Sequence, residues 1–270
     1  MMSTLMLVGI VLMVIGLWGS SVADAGEPGG RVVTLSSLCL LDTEEVKTRE
    51  AVLERIRAAA QRDDPDLLVV PLTPFLSFRE GHEAEDLKPF AELAAEHNTY
   101  LAVAMEEAGA DERTYCTSVL LGRGGEIVGT YRKTHNLPDD KTALGDDLPV
   151  FETDFGILGF SLSTDITFPE VCAVERMKGA DVLVWQHYPE RFREHFQWLP
   201  ILKARAQDSH AHMVTSMYAD PRAYITNRYR MGMQGAPWGR SMILNRVGAP
   251  IADTGYEDGI AAATVDLHKR

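Results

Sequence analysis

The chain has little cysteine: Cys39, Cys116 and Cys172 are the only three in 270 residues. An odd and sparse set of this kind does not form a disulfide framework, and no CxxC pair suggests structural zinc. We therefore expect all three to be small buried hydrophobic side chains. His210 and His212 alternate, so on a strand they would share one face, but no third ligand is spaced near them. We predict neither a metal ion nor another cofactor.

Positive charge is also scarce. The chain has 26 Lys and Arg against 39 Asp and Glu, which gives a formal net charge of -13. Nonspecific nucleic-acid binding needs a basic surface, so nucleic acid is excluded as a partner. The hydrophobic content of 46% is ordinary for a globular protein, and the length allows one α/β domain with a large core.

No Lys or Arg occurs before Arg31, and the first thirty residues differ from the rest. Residues 5–18 are almost continuously apolar, a run that is short for a bilayer span, and Ala23-Asp24-Ala25 fits a signal-peptide cleavage site. We predict a signal peptide or an N-terminal membrane anchor at residues 1–25 and a linker at residues 26–30. The protein would then be exported to the periplasm or the cell exterior, or held at the membrane by this segment alone. A buried N-terminal helix is the alternative.

Strand-like and helical patterns alternate from Arg31 onward. Asp42 is expected to cap the first helix, with Glu45 as its capping-box partner, and residues 63–65 are expected to stop that helix. Further strands are predicted at residues 31–36, 67–70, 100–105, 117–121, 127–131, 156–162, 181–185, 212–217, 241–244 and 261–265, and further helices around residues 87–94, from Phe168 onward and over 192–208. The alternation of strands and helices, combined with hairpins, indicates an α/β fold with mixed sheets.

Three segments each end a strand and enter a loop or a helix, where catalytic groups often lie in α/β folds. They are Asp66-Leu67-Leu68-Val69-Val70-Pro71-Leu72-Thr73, Gly129-Thr130-Tyr131-Arg132-Lys133-Thr134-His135 and Phe160-Ser161-Leu162-Ser163-Thr164-Asp165-Ile166-Thr167-Phe168-Pro169-Glu170. In order and spacing they resemble the carbon–nitrogen hydrolase (nitrilase) family, over about residues 31–270. In that family the first segment supplies a general-base glutamate, the second an oxyanion-stabilising lysine and the third a nucleophilic cysteine.

The resemblance implies a four-layer α-β-β-α sandwich with two mixed β-sheets for residues 31–270. It also implies a homodimer or larger homo-oligomer, and a pocket for a small amide or nitrile-like ligand. The pocket is expected where Leu72, Lys133 and Ser163 converge. Its further lining residues are predicted to be Thr73, Asp140, Thr164, His187 and Tyr188.

Read residue by residue, the family's chemistry transfers only in part. Lys133 matches the catalytic lysine, but Leu72 stands at the glutamate position and Ser163 at the cysteine position. Leucine cannot accept a proton, and a serine hydroxyl is far less acidic than a thiol, so it needs a general base during attack. Cys116 and Thr167 replace two further residues of the family motifs.

Two main hypotheses follow. The first is a catalytically inactive homologue with a binding or structural role outside the cytoplasm. The second is an active amidase-type hydrolase that uses Ser163 with Lys133. A carboxylate near Lys133 or Ser163, from Glu106 or Asp140, would favour the second, and a Leu72 that seals the pocket would favour the first. A metal-dependent enzyme is a third possibility, and it would need a third ligand near the two histidines.

The partner of Lys133 is a separate question, because a lone buried ammonium is costly. Asp165 and Glu170 are the expected partners. Asp139 and Asp140 are candidates for a secondary carboxylate that follows the lysine in many family members.

Overall fold

The computed structural model describes residues 31–138, 140–188, 198–219 and 239–268. The predicted leader and linker, Asp139 and the first part of the helix predicted at 192–208 lie outside these ranges. Within them the chain forms twelve strands, five α-helices and one 3-10 turn. These elements are β1 (Val32–Leu41), α1 (Arg49–Asp63), β2 (Leu67–Arg79), α2 (Glu83–Asp86), α3 (Lys88–Glu96), β3 (Tyr100–Ala108), β4 (Thr114–Leu121), β5 (Ile127–Arg132), β6 (Val150–Glu152), β7 (Ile157–Leu162), the 3-10 turn (Ser163–Thr167), α4 (Pro169–Met177), β8 (Val182–His187), α5 (Trp198–Ser209), β9 (His212–Ala219), β10 (Met242–Leu244), β11 (Pro250–Asp253) and β12 (Gly259–Asp266).

The strands form two mixed sheets that share one seam. In the first sheet, β1 and β2 are parallel, as are β2 and β3, whereas β12–β1, β3–β4 and β4–β5 are antiparallel. In the second sheet, β7, β8 and β9 are parallel, and β6 and β10–β11 add antiparallel edges. The seam is a short parallel pairing of β1 with β9, at Cys39–Leu41 against Met217–Ala219.

Three apolar layers show how the sheets and helices are stacked. The central layer lies between the sheets and joins side chains of β2, β3 and β4 to side chains of β7, β8 and β9. A second layer packs α1 and α3 against the outer face of the first sheet, and a third packs α4 and α5 against the outer face of the second. The predicted four-layer α-β-β-α sandwich is therefore confirmed.

The start of α1 differs from the prediction, whereas its end agrees. Thr48, not Asp42, caps the helix, and its hydroxyl accepts a hydrogen bond from the backbone N–H of Ala51 at 3.2 Å. Residues 42–48 form turns instead, and Asp42 pairs with Lys47 at 3.0 Å. The helix ends at Asp63 because Asp64 adopts a left-handed conformation, with φ of 44°.

Most predicted strands are present and are longer than their apolar runs. Residues 67–70 alternate between the central and the outer apolar layers, which explains the continuous hydrophobic run. The short elements β6, β11 and α2 had not been predicted. His210 precedes β9 in a left-handed turn, so it lies outside the strand that begins at His212, and the two histidines do not share a strand face.

The described ranges contain no group of three or more His, Cys, Asp or Glu side chains that could hold a metal ion. In the same ranges, no helix has the length and apolar character needed to cross a bilayer.

Candidate functional site

Asp165 holds the Lys133 segment against the turn that carries Ser163. Its buried carboxylate accepts hydrogen bonds from the Tyr131 hydroxyl at 2.7 Å, from the backbone N–H of His135 at 2.8 Å and from that of Leu162 at 3.0 Å. Burial raises the pKa of Asp165, although these donors act in the opposite direction. The expectation that Asp165 pairs with Lys133 is wrong, because the Asp165 oxygens instead accept hydrogen bonds from Tyr131, His135 and Leu162.

Ser163 occupies a strained elbow after β7. Its φ is 48°, a left-handed value that is unfavourable for a residue with a side chain. The indole N–H of Trp185 donates to the Ser163 carbonyl at 2.9 Å and fixes this geometry. The residue is buried, and within the described part of the chain its hydroxyl has no hydrogen-bond partner.

Lys133 is almost fully buried at the end of β5. Its backbone N–H donates to the Cys116 carbonyl and its own carbonyl accepts from Gly145, both at 2.8 Å. Its ammonium pairs with the Asp140 carboxylate, so Asp140 takes the role that had been expected of Asp165 or Glu170. Glu170 is exposed on the first turn of α4.

Asp140 is a charged carboxylate. Burial alone would raise its pKa, but the Lys133 ammonium and two hydrogen bonds from Thr142 outweigh burial and hold the pKa below its ordinary value. The Thr142 backbone N–H and hydroxyl donate to the second Asp140 oxygen at 3.0 and 2.9 Å. The site therefore contains a partly buried ion pair, in which both oxygens of the carboxylate already accept hydrogen bonds.

Leu72 belongs to the apolar layer between the sheets and is 5% exposed. Cys116, Tyr131 and Leu162 are members of the same layer, which places Leu72 beside the strands that carry Lys133 and Ser163. Leu72 thus contributes packing to this layer and offers no base there.

The remaining predicted pocket residues differ in where their polar groups are directed. The Thr73 hydroxyl donates to the Ala104 carbonyl and the Thr164 hydroxyl to the His135 carbonyl, at 2.8 and 2.7 Å. Thr164 is therefore bound to the Lys133 segment, whereas Thr73 is bound to β3.

His187 and Tyr188 lie at the end of β8. His187 is fully buried and stacks on Trp185, with the ring centroids 4.9 Å apart. The Tyr188 hydroxyl donates to Asp42 at 3.0 Å, and its ring packs against Tyr218. The structure thus directs the Tyr188 hydroxyl to Asp42, which already pairs with Lys47, and not to the Lys133–Asp140 pair.

Gln186 connects the two sheets beside this site, and the sequence analysis did not recognise its role. Its amide nitrogen donates to the carbonyls of Val70 and Ala102 at 2.7 and 3.2 Å, and its amide oxygen accepts from the Ser118 hydroxyl at 2.6 Å. The signal in the sequence was a fully polar side chain that directly follows the apolar run of β8, where burial demands partners.

Glu175 is a second buried group that had not been singled out. It is fully buried on α4, where one carboxyl oxygen accepts from the Phe160 N–H at 2.8 Å and the other has no partner in the described residues. Burial raises the pKa of Glu175 well above its ordinary value, the Phe160 N–H opposes this, and the nearby Asp165 raises the pKa further. The Glu175 carboxyl fits here because residue 159 is a glycine: a Cβ at Gly159 would lie 2.6 Å from the unpartnered oxygen.

Comparison with known proteins first defines the class of fold. The solved carbon–nitrogen hydrolase from Helicobacter pylori G27 superposes with a TM-score of 0.71, covering 87% of this chain and 90% of that chain, at 21% sequence identity. At this identity the likeness shows that the two chains share a nitrilase-type fold.

The family follows from the sequence. The family profile described as carbon-nitrogen hydrolase matches residues 31–270, so the chain belongs to the carbon–nitrogen hydrolase family. A protein of Schizosaccharomyces pombe described as a probable nitrilase is 28% identical over 195 residues, which span 68% of this chain and 66% of that protein. The human omega-amidase NIT2 is 26% identical over 214 residues, which span 72% of this chain and 71% of that protein. The resemblance seen in the three motif segments is therefore confirmed.

Proposed function

We propose that this carbon–nitrogen hydrolase homologue binds a small amide or nitrile-like ligand at the Lys133 site and does not hydrolyse it. One observation carries this proposal: in the described part of the chain no base is hydrogen-bonded to the Ser163 hydroxyl, and Leu72, at the position that the family resemblance assigns to the glutamate, lies in the apolar core. General-base catalysis typically contributes about 10²–10⁴ in rate, and a serine depends on it more strongly than a thiol.

The charge state of the ion pair argues against Lys133 or Asp140 as the base for Ser163. A lysine can act as the base for a serine only in its neutral form, and the adjacent Asp140 carboxylate favours the charged ammonium. Asp140 itself is a weak base, because its pKa is lowered and both of its oxygens are engaged. The retained ammonium and the free Ser163 hydroxyl are instead hydrogen-bond donors suited to a carbonyl or nitrile group.

An active hydrolase is the second candidate, and the contact between Lys133 and Asp140 is the observation that favours it. In that reading Asp140 replaces the missing glutamate, and Ser163 is the nucleophile. The two candidates make opposite predictions for product release, so one assay separates them.

The test is ammonia release by the purified protein from a panel of primary amides, nitriles and carbamoyl amines, with Ser163→Ala as the matched variant. We expect no release above the variant, together with a ligand-dependent rise in melting temperature that Lys133→Met removes. Release that disappears in Ser163→Ala would establish the serine hydrolase. Release that persists in the variant would also refute the binding proposal and would require another nucleophile.

Export and oligomerisation remain part of the proposal. The apolar residues 5–18 and the Ala23-Asp24-Ala25 site support export, and N-terminal sequencing of the protein from its native cell envelope should begin at Gly26. Family membership supports a homodimer or larger assembly, which sedimentation equilibrium would measure directly. A monomer would contradict the proposed assembly, and a chain that keeps Met1 in the cytoplasm would contradict the proposed export.

A further inference from the structure

Cys116 lies in a row of three chemically distinct side chains on neighbouring strands. In the antiparallel pairing of β3 with β4, Cys116 is directly opposite Glu106. On its other side, the register that pairs Thr117 with Arg132 continues to Cys116 and Lys133, and the Lys133 N–H donates to the Cys116 carbonyl at 2.8 Å. A carboxylate, a thiol and an ammonium therefore follow one another across β3, β4 and the end of β5.

The three side chains are on the same face of the sheet. Cys116 is itself part of the apolar layer between the sheets. Ala104, two residues before Glu106, and Tyr131, two residues before Lys133, belong to the same layer, and alternate residues of a strand share a face. Directly opposed residues of an antiparallel pair have Cβ atoms about 4.5–5.5 Å apart. At this spacing the Glu106 and Lys133 side chains are long enough for their charged groups to reach the Cys116 sulfur.

This combination suits a reactive thiol. A thiolate, not a thiol, is the nucleophile, and a neighbouring ammonium favours the thiolate. A neighbouring carboxylate can accept the thiol proton. We propose that Cys116 is a reactive thiol, activated by Glu106 and Lys133, that bonds covalently to small uncharged carbon electrophiles.

The covalent step balances without a further reactant. The Cys116 sulfur forms a bond to the electrophilic carbon, the leaving group departs with its electron pair, and the thiol proton passes to the Glu106 carboxylate. Asp140 contacts the Lys133 ammonium from the connection that follows β5, so the ammonium keeps its charge during the step.

The other two cysteines lack this environment and provide internal controls. Cys172 is buried on α4, where burial and the neighbouring Glu175 raise the pKa of its thiol. Cys39 is fully buried on β1, and its register partners are Gly259 and Met217. Cys116 is buried as well, with 6% exposure, so the expectation of small buried side chains is confirmed for all three cysteines. The proposal adds reactivity at Cys116 alone, because only Cys116 has a carboxylate and an ammonium beside it in the register.

The experiment uses the purified native protein and limiting iodoacetamide, a small uncharged alkylating agent. Peptide mass spectrometry gives the alkylation rate of each cysteine. We expect Cys116 to react about tenfold or more faster than Cys39 and Cys172. Lys133→Met should remove this advantage, Lys133→Arg should keep most of it, and Glu106→Gln should lower the rate at neutral pH. Lys141→Met, an exposed change in the same connection, should have no effect.

Equal rates at the three cysteines would overturn the proposal, and so would an unchanged or higher Cys116 rate in Lys133→Met. The proposal is independent of the proposed binding function. Ammonia release would refute the binding function whatever the alkylation rates are, and slow Cys116 alkylation would refute the reactive thiol even if no ammonia is released. Ammonia release that is lost in Cys116→Ser but kept in Ser163→Ala would refute the binding function and support the reactive Cys116 thiol.

Discussion

The buried carboxyl of Glu175 should make the stability of this protein decrease as the pH rises. The folded protein offers this group one N–H donor and leaves its other oxygen without a partner in the described residues. A neutral carboxylic acid tolerates such a place much better than a carboxylate does. Glu175→Gln keeps the shape and the acceptor for Phe160 but removes the titration.

The sign follows from linkage. The pKa of Glu175 is raised in the folded state, so the folded protein holds a proton that the unfolded chain releases above its ordinary pKa. The stabilising contribution is therefore complete below that ordinary value and is lost as the pH rises toward the folded-state pKa. One such proton corresponds to about 1.4 kcal/mol per pH unit, so the wild type should lose stability relative to Glu175→Gln at up to this rate as the pH rises from the ordinary carboxyl pKa toward the folded-state pKa.

Urea unfolding of both proteins at several pH values measures this difference. Asp165 and Lys178 are the charged groups near Glu175, and both are present in the two proteins, so their own titration largely cancels. Glu170→Gln, an exposed change on the same helix, is the matched control and should show no pH-dependent difference. Parallel stability curves for the wild type and Glu175→Gln would refute the reasoning.

Two further predictions concern polar groups of the site. Gln186→Leu should lower the free energy of unfolding by about 2–5 kcal/mol, because two buried carbonyls and a hydroxyl lose their partner. The exposed control Gln207→Leu should change it little, and urea titration compares the two variants. Equal effects would contradict the role of Gln186 as a link between the sheets. Asp140→Asn should lower the free energy of unfolding by about 3 kcal/mol, because it leaves the Lys133 ammonium buried without its charged partner. The double variant Asp140→Asn with Lys133→Met should recover part of this loss in the same measurement. No recovery would show that the two residues are not coupled.

The elements that could be predicted are those whose signal is local. The apolar run at residues 67–70, the glycine-rich hairpin between β4 and β5, and the proline that opens α4 depend on neighbouring residues only. The three motif segments were recognisable for the same reason, since each is a contiguous stretch. The predicted cap of the first helix was wrong because Asp42 and Thr48 are both residue types that favour a helix N-cap, and the cap is Thr48.

The features that could not be predicted depend on residues far apart in the chain. Glu175 looks like an ordinary exposed helix residue until Gly159, on another element, leaves room for its side chain. The two carbonyls that accept from Gln186 are more than 80 residues away. The row that contains Cys116 depends on the register of two hairpins, which a single sequence does not display.

The pairing of β1 with β12 joins the beginning and the end of the described domain, with Val32 opposite Asp266. A nascent chain therefore cannot complete the first sheet until β12 has left the ribosome. Contacts of such large sequence separation slow folding. The same proximity means that the two ends can be joined by a short linker and the chain reopened at an exposed turn, such as residues 110–113 between β3 and β4, with every strand pairing retained.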